Sequence, residues 1–371
     1  MIAAGKIIMS NDSSLTKNEE KVLFGMVKYP NKSDKLLARY LHMKDSTVNY
    51  CRNQLEKQNM FQVVYLPFLN RLGFELLCIN FAEYNLKISS NKRKNAITKE
   101  IEDAADIFLK IGDPEKEFSI SFNKNYSEFF NYTQNRLKKM GKLGILTKNP
   151  ENIIFPINHS AIHNFFDYSG LVKQSFSIKN VDLTNQNRES DMQKNLKTTV
   201  FSSIFGIHDL ANLSQKEKAV FIALIDHPNK SIKEIAELTS ISLNRNTVSK
   251  MRQKFMNNGL MRKLIIPNLD LIGFELLVYY HFRFRPDKPI TDEIIQTMNS
   301  PATILFFHNK FEAVILCAFK NYSDYKSDKV KKYSFLNSHE ILGKSPEPRK
   351  YLFSNLEYIR KFDFRLLSRN I

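Results

Sequence analysis

Along residues 15–57 the apolar positions fall at helical spacing in three bursts, and residues 213–257 repeat the same three bursts. Thr16-Lys17-Asn18-Glu19 and Ser214-Gln215-Lys216-Glu217 are capping boxes: the hydroxyl accepts from a free amide of the first turn while the glutamate reaches back. Each predicts a helix that ends before Pro30 or Pro228, because proline disfavours helical backbone in the residue preceding it. Ser33 and Ser231 open a second, short helix, and Ser231 makes a further capping box with Glu234. A third helix is predicted from about Ser46 in one copy and Asn244 in the other. Its apolar stripe is Val48, Cys51 and Leu55, answered by Val248, Met251 and Phe255. Phe61–Leu66 and Met261–Ile266 are then short β-prone runs that suit the hairpin of a wing.

The repetition continues. After Pro67–Leu72 and Pro267–Ile272, the pentapeptide Gly73–Leu77 recurs as Gly273–Leu277 and opens a strand. In the first copy a polar helical stretch (Lys92–Ala105), two strands (Ile107–Ile111 and Glu117–Phe122), a helix (Tyr126–Met140) and a closing strand (Ile153–Ile157) follow. Phe129, Phe130, Tyr132 and Leu137 of that helix are available to a core. Asn125-Tyr126-Ser127-Glu128-Phe129 is answered by Asn321-Tyr322-Ser323-Asp324-Tyr325, and Phe166-Asp167-Tyr168 by Phe362-Asp363-Phe364. A small insertion is expected near Ser242–Asn244. The expected fold class is α+β, a tandem duplication of a winged helix-turn-helix followed by a ferredoxin-like β-α-β-β-α-β domain. The boundaries fall at 1–14 (N-terminal tail), 15–66 (first winged helix), 67–172 (first ferredoxin-like domain), 173–212 (linker), 213–266 (second winged helix) and 267–371 (second ferredoxin-like domain). Within the linker, Thr198–Leu210 is apolar enough to dock on a module.

Charge adds a partner to this picture. The formal net charge is +17, and the surplus follows the repeated modules: residues 15–66 carry 9 basic and 5 acidic side chains, residues 213–266 carry 10 and 4. Such an excess points to a polyanion, here double-stranded DNA. The outer face of the third helix carries Ser46, Thr47, Asn49, Tyr50, Asn53 and Lys57 in copy one. In copy two it carries Asn244, Arg245, Asn246, Thr247, Ser249, Lys250 and Gln253, with Arg252 on the flank. These side chains bond base edges and phosphates. Arg262 and Lys263 stand in the second wing where Phe61 and Gln62 stand in the first, so copy two is expected to make the stronger backbone contacts.

The three cysteines have no metal-ligand spacing and read as buried free thiols. No run approaches the roughly 18 apolar residues that span a bilayer, and no signal peptide is read, so no membrane partner and a cytoplasmic location are expected. No Gly-rich phosphate loop, Ser/His/Asp order or metal cluster stands out. The expectation is therefore of no catalytic residue, no metal, no cofactor and no enzyme activity.

The third-helix Thr47-Val48 and Thr247-Val248, Asn257-Asn258-Gly259-Leu260 before the second wing, Pro267-Asn268-Leu269-Asp270 leading to Gly273, and the Gly112-Asp113 turn carry a resemblance. Each module resembles the leucine-responsive / asparagine-synthesis regulator family (Lrp/AsnC) along most of its length. The resemblance implies a transcription regulator whose winged helices bind DNA and whose ferredoxin-like domains pair and sense a small-molecule effector, with Gly112 and Asp113 at the effector site. Relatives carry one module per chain and dimerise. Two modules here imply an internal pseudo-dimer, with a homodimer through the ferredoxin-like domains left open. Module two has Phe307-His308-Asn309-Lys310 at the corresponding turn, and copy one has Gln58-Asn59-Met60 before its wing, so symmetric effector binding is not expected. Two rival readings remain: a replication initiator with tandem winged helices, and a haem-biosynthesis decarboxylase-like enzyme, for which His42, His163, His227, His281 and His308 show no partner pattern in sequence.

Overall fold

A computed structural model describes residues 15–178, 209–239, 243–343 and 346–369. The expected tail, residues 198–208 of the stretch expected to dock, and Ser242 at the expected insertion lie outside the described residues. The chain is α+β, with helices and antiparallel sheets. Module one runs α1 (Lys17–Lys28), α2 (Asp34–Leu41), α3 (Asp45–Lys57), β1 (Phe61–Pro67), β2 (Leu76–Glu83), α4 (Ser90–Asp103), β3 (Ile107–Gly112), β4 (Lys116–Asn123), α5 (Tyr126–Lys142), β5 (Glu151–Pro156), β6 (Ala161–Phe165) and α6 (Ser169–Ser175). Module two repeats that order as α7 (Gln215–Asp226), α8 (Ile232–Leu238), α9 (Arg245–Asn257), β7 (Met261–Pro267), β8 (Leu276–Arg283), α10 (Asp292–Met298), β9 (Thr303–His308), β10 (Glu312–Phe319), α11 (Tyr322–Ser338), β11 (Arg349–Leu352), β12 (Glu357–Arg360) and α12 (Arg365–Ser368).

Local chemistry sets the helix starts. All three capping boxes form, at Thr16/Glu19, Ser214/Glu217 and Ser231/Glu234. Behind the first, α1 buries Val22, Leu23 and Met26, and α3 closes over them with Val48, Cys51 and Leu55. The three cysteines are buried and free. Of the aromatic residues expected in the core from α5, Phe129 is buried, whereas Phe130 is exposed and stacks on Tyr126.

The wing hairpins expected at Phe61–Leu66 and Met261–Ile266 do not form. Instead β1 pairs antiparallel with β7 of the other copy, Phe61 opposite Pro267 and Val64 opposite Leu264. Each strand ends at a proline, and after Pro67 the chain enters a 3-10 turn at Leu69–Leu72 and never folds back on itself. The hydrogen-bonding edge that a hairpin partner would have used is taken by the second copy. Copy one lacks the glycine that precedes β7, yet Asn59 (φ 55) adopts the left-handed conformation of Gly259 (φ 62). Asparagine is the non-glycine residue that tolerates it best.

The two five-stranded sheets exchange strands in the same reciprocal way. Their orders are β12-β3-β4-β2-β5 and β11-β8-β10-β9-β6. Each takes four strands from its own module and a fifth from the end of the other: β12 pairs with β3, and β6 pairs with β9. The inner faces of the sheets stack into one core, with Phe118 against Tyr279 (ring centroids 5.8 Å apart) and Phe155 against Phe307 (4.7 Å). Phe166 meets its own repeat counterpart Phe362 at 4.7 Å, as Val64 meets Leu264. A residue that touches its counterpart marks a two-fold relation between copies. Arg71 ties the end of the linker to module one, its Nε donating to the Asp209 carbonyl at 3.1 Å and its own carbonyl accepting from Ala211 N at 2.8 Å.

Candidate nucleic-acid interface

Both three-helix heads pack on the β1–β7 pair, α1 against β7 and α7 against β1, so one platform holds the two third helices. On α3 the structure brings Ser46, Asn49, Tyr50, Asn53 and Lys57 together on one exposed face, with Tyr50 62% exposed; Asn53 Nδ2 donates to Asn49 Oδ1 at 3.1 Å. On α9 the exposed face holds Arg245, Asn246, Ser249, Lys250 and Gln253, whose amide donates to Asn257 Oδ1 at 2.7 Å. Thr47 and Thr247 are half-buried beside the apolar stripe. Asn244 is the N-cap of α9, its Oδ1 accepting from Thr247 N at 2.8 Å, so its side chain holds the helix start. Lys44 stands at the same place in copy one and makes no side-chain cap.

The faces differ in charge. Asp45 and Glu56 are exposed on α3, while the first turn of α9 has no acidic residue and begins with Arg245. Arg52 is tied to the second helix of its own head through Asp34 Oδ1 at 2.5 Å. Ile232 holds the place of Asp34 in copy two, so that position offers Arg252 no carboxylate; the Nε of Arg52 and of Arg252 is alike buried without a hydrogen-bond partner among the described residues. The two cations expected at a wing tip are placed otherwise: Arg262 and Lys263 are half-buried on β7, opposite Leu66 and Tyr65 of β1. Burial first, and then the charges of Arg52 and Arg252, hold Lys263 below the ordinary lysine value, with Asp34 acting the other way. Arg262 and Lys263 therefore belong to the junction of the two heads and not to a projecting wing.

Gly112 and Asp113 have structural work to do. Gly112 ends β3 between Glu117 of β4 and Glu357 of β12, and a Cβ there would lie 3.3 Å from Glu117 Cβ and Ile359 Cδ1. Asp113 Oδ1 accepts from Glu115 N (2.8 Å) and Lys116 N (2.9 Å), closing the turn. Asn309 Oδ1 accepts from Phe311 N at 2.9 Å in module two, so both modules make the same turn despite the missing glycine. With β12 of the other module along this edge, Gly112 cannot offer its backbone to an effector as expected.

Two histidine arrangements emerge that no spacing in the sequence announces. His163 of β6 and His308 of β9, 145 residues apart, meet Nε2 to Nε2 at 2.9 Å, with their rings within 3° of parallel. Burial first, and then the neighbouring His308, hold His163 down at about 4. His281 lies between two carboxylates, Nε2 at 2.7 Å from Glu312 and Nδ1 at 3.2 Å from Glu151 of the other module.

No protein-family model and no curated protein matches the chain. Among solved structures it is similar to the siroheme decarboxylase NirDL, with 10% identity and a TM-score of 0.48 over 95% of this chain and 97% of that one. It is also similar to AsnC of E. coli (11% identity, TM-score 0.31, 38% of this chain and 92% of that one). A transcriptional regulator of Neisseria meningitidis in complex with L-Met aligns comparably (12% identity, TM-score 0.33, 38% and 90%).

The expectation that the chain is not an enzyme is corrected: the structure that aligns with 95% of it is that of an enzyme. Among the described residues no cluster of three or more metal-ligating side chains occurs, and no helix is long and apolar enough to cross a membrane. The meeting of His163 with His308 depends on which strands become neighbours: the exchange of β6 into the other module's sheet decides that, and no local pattern encodes it.

Proposed function

We propose that the chain is a sequence-specific DNA-binding transcription regulator in which two winged-helix units on ferredoxin-like domains form an internal pseudo-dimer. The observation that carries this reading is the pair of third helices held on one β1–β7 platform, each with an exposed face of hydrogen-bonding and basic side chains. Each helix enters a major groove of double-stranded DNA, and the two-fold relation places the half-sites one helical turn or a multiple apart. Arg245 and Lys250 give copy two the stronger phosphate contacts. Selection from random duplexes tests the reading: the enriched site should be held at least ~10³-fold tighter than random DNA at physiological salt. Affinity should also fall steeply as salt rises, through counterion release. Arg245→Ala and Lys250→Ala should weaken binding more than Asn49→Ala and Tyr50→Ala. Failure to enrich any site would remove the reading, and equal losses from both helices would remove the asymmetry.

A second reading, an enzyme on the same architecture, is favoured by the His163–His308 pair, two imidazoles that are available as neutral bases or ligands at neutral pH. Titration with siroheme, followed by absorbance and product analysis, separates the two readings. A saturable spectral change with carboxylate loss, abolished in His163→Ala and unaccompanied by DNA selectivity, would replace the regulator with the enzyme.

A further inference from the structure

Beneath the helices of both five-stranded sheets, cations withdrawn from solvent are paired. Lys110 lies between Glu100 Oε2 at 3.0 Å and Glu117 Oε1 at 2.8 Å, Arg136 is engaged by Asp106 Oδ2 at 2.5 Å, and Lys332 is paired with Asp328. The junction of the two heads is built differently. On its floor the two-fold runs through the Val64–Leu264 pair of β1 and β7 and carries Lys263 onto Val63. The lysine therefore stands beside the axis without a symmetric copy. β7 is also the strand that touches both heads, packing against α1 of one and α9 of the other.

Arg52 of α3 and Arg252 of α9 hold equivalent helix positions, three residues after Asn49 and Ser249, so each flanks the exposed face of its own third helix. Both arginines and Lys263 are half-buried. The charges of the two arginines both act on the Lys263 ammonium, which gathers the three cations around one spot between the heads. The carboxylate that acts on Lys263 is Asp34, and Arg52 Nη2 already engages it at 2.5 Å. In copy two its place is held by Ile232. Among the described residues neither Arg252 nor Lys263 has an ion pair or a side-chain hydrogen bond, and the Nε of both arginines is buried without an acceptor. Withdrawing a cation from water is unfavourable unless an anion or acceptor answers it, and like charges gathered at one spot add their mutual repulsion.

We propose that this spot between the two heads is a phosphate site, in which Arg52, Arg252 and Lys263 together hold one phosphate group. Phosphate suits the set chemically. Its oxygens accept from two planar guanidinium forks, which match an oxyanion bidentately, and from an ammonium that needs no fixed direction. Its negative charge opposes the excess of three cations over the single carboxylate of Asp34. A duplex that engages both third helices must cross the space between them, and its backbone brings such a group there. A free phosphate has the same chemistry, so the site does not rest on the DNA-binding reading.

The test is calorimetry and thermal unfolding of the full chain with inorganic phosphate at neutral pH, against sodium chloride at equal ionic strength. Phosphate should bind saturably and raise the melting temperature beyond chloride. Lys263→Val, which copies the residue of the first strand, and Arg252→Gln should each weaken phosphate binding about tenfold or more, with far-ultraviolet dichroism unchanged. Lys92→Ala, exposed on α4, should bind phosphate as the wild type does. Duplex binding then separates the two sources. If the phosphate belongs to the DNA backbone, Lys263→Val reduces the slope of log affinity against log salt by about 1, and inorganic phosphate competes with the duplex beyond its ionic strength. If it is a free phosphate, both stay unchanged. No saturable effect of phosphate on the wild-type chain, or wild-type phosphate binding in Lys263→Val and Arg252→Gln, would overturn the site. Phosphate binding without duplex selectivity would keep the site and remove the DNA-binding reading alone.

Discussion

Lys110 sits in the middle of Ile107–Gly112, a strand whose other positions are apolar, with an ammonium that never reaches solvent. Its ion pairs can be broken from one side only at a high cost, because the partners left behind are buried charges. Lys110→Met should lower the unfolding free energy by about 3–5 kcal/mol, read from urea denaturation at pH 7. A loss below about 1 kcal/mol would mean that water enters to solvate Glu100 and Glu117. His163 makes a second residue-scale prediction. Its pKa is about 4 in the folded chain, against about 6.5 in the unfolded chain. Between those values the unfolded chain binds a proton that the folded chain refuses, so stability falls as pH drops through the window and is fully present above it. His163→Phe should flatten that part of the pH–stability curve, and an unchanged curve would assign the fall to other groups.

At the scale of elements, what could be read in the sequence is what local chemistry determines. The Ser231/Glu234 box starts α8 where its residues say it should, and Asn321 starts α11 as Asn125 starts α5. The β-prone run Phe61–Leu66 is equally legible, but its partner is not. A strand's alternation says which face is buried, whereas the identity of its neighbour is settled by tertiary packing, here across 200 residues to Ile265 and Leu264. The same limit hid the role of Arg360, which looks like one more surface cation at the end of β12. Its guanidinium reaches across to the end of α4 in the other module, donating to the carbonyls of Ile101, Ala104 and Ile107. Ile101 and Ala104 lie at the C-terminal end of α4, where main-chain carbonyls run short of intrahelical donors, and Ile107 opens β3. Arg360→Ala should cost roughly 2–3 kcal/mol through loss of its charged hydrogen bonds to these main-chain carbonyls. Hydrogen exchange should place the loss in α4 and β3 of module one, although the substitution is in module two. Protection lost only near residue 360 would show that the contact does not couple the modules.

For the whole molecule, three reciprocal devices act together: the β1–β7 pair, the exchanged strands β6 and β12, and the stacked inner faces of the two sheets. Neither module completes its own sheet. Without module two, the β3 edge of module one is an unpaired strand beside an uncovered apolar face, which invites aggregation. Fragments cut at the expected boundaries, 172 and 213, should therefore not fold as independent units. Full-length protein should unfold in one transition, with far-ultraviolet dichroism and tyrosine fluorescence coinciding, as a single cooperative unit does. A fragment of residues 1–178 expressed alone should lack a cooperative transition, as should 209–371, while mixing the two should restore both the transition and native dichroism. A cooperative, monomeric transition of either fragment alone would show that the exchanged strand is an addition to a module already complete. In that case the coupling between the third helices would have to come from the β1–β7 pair by itself.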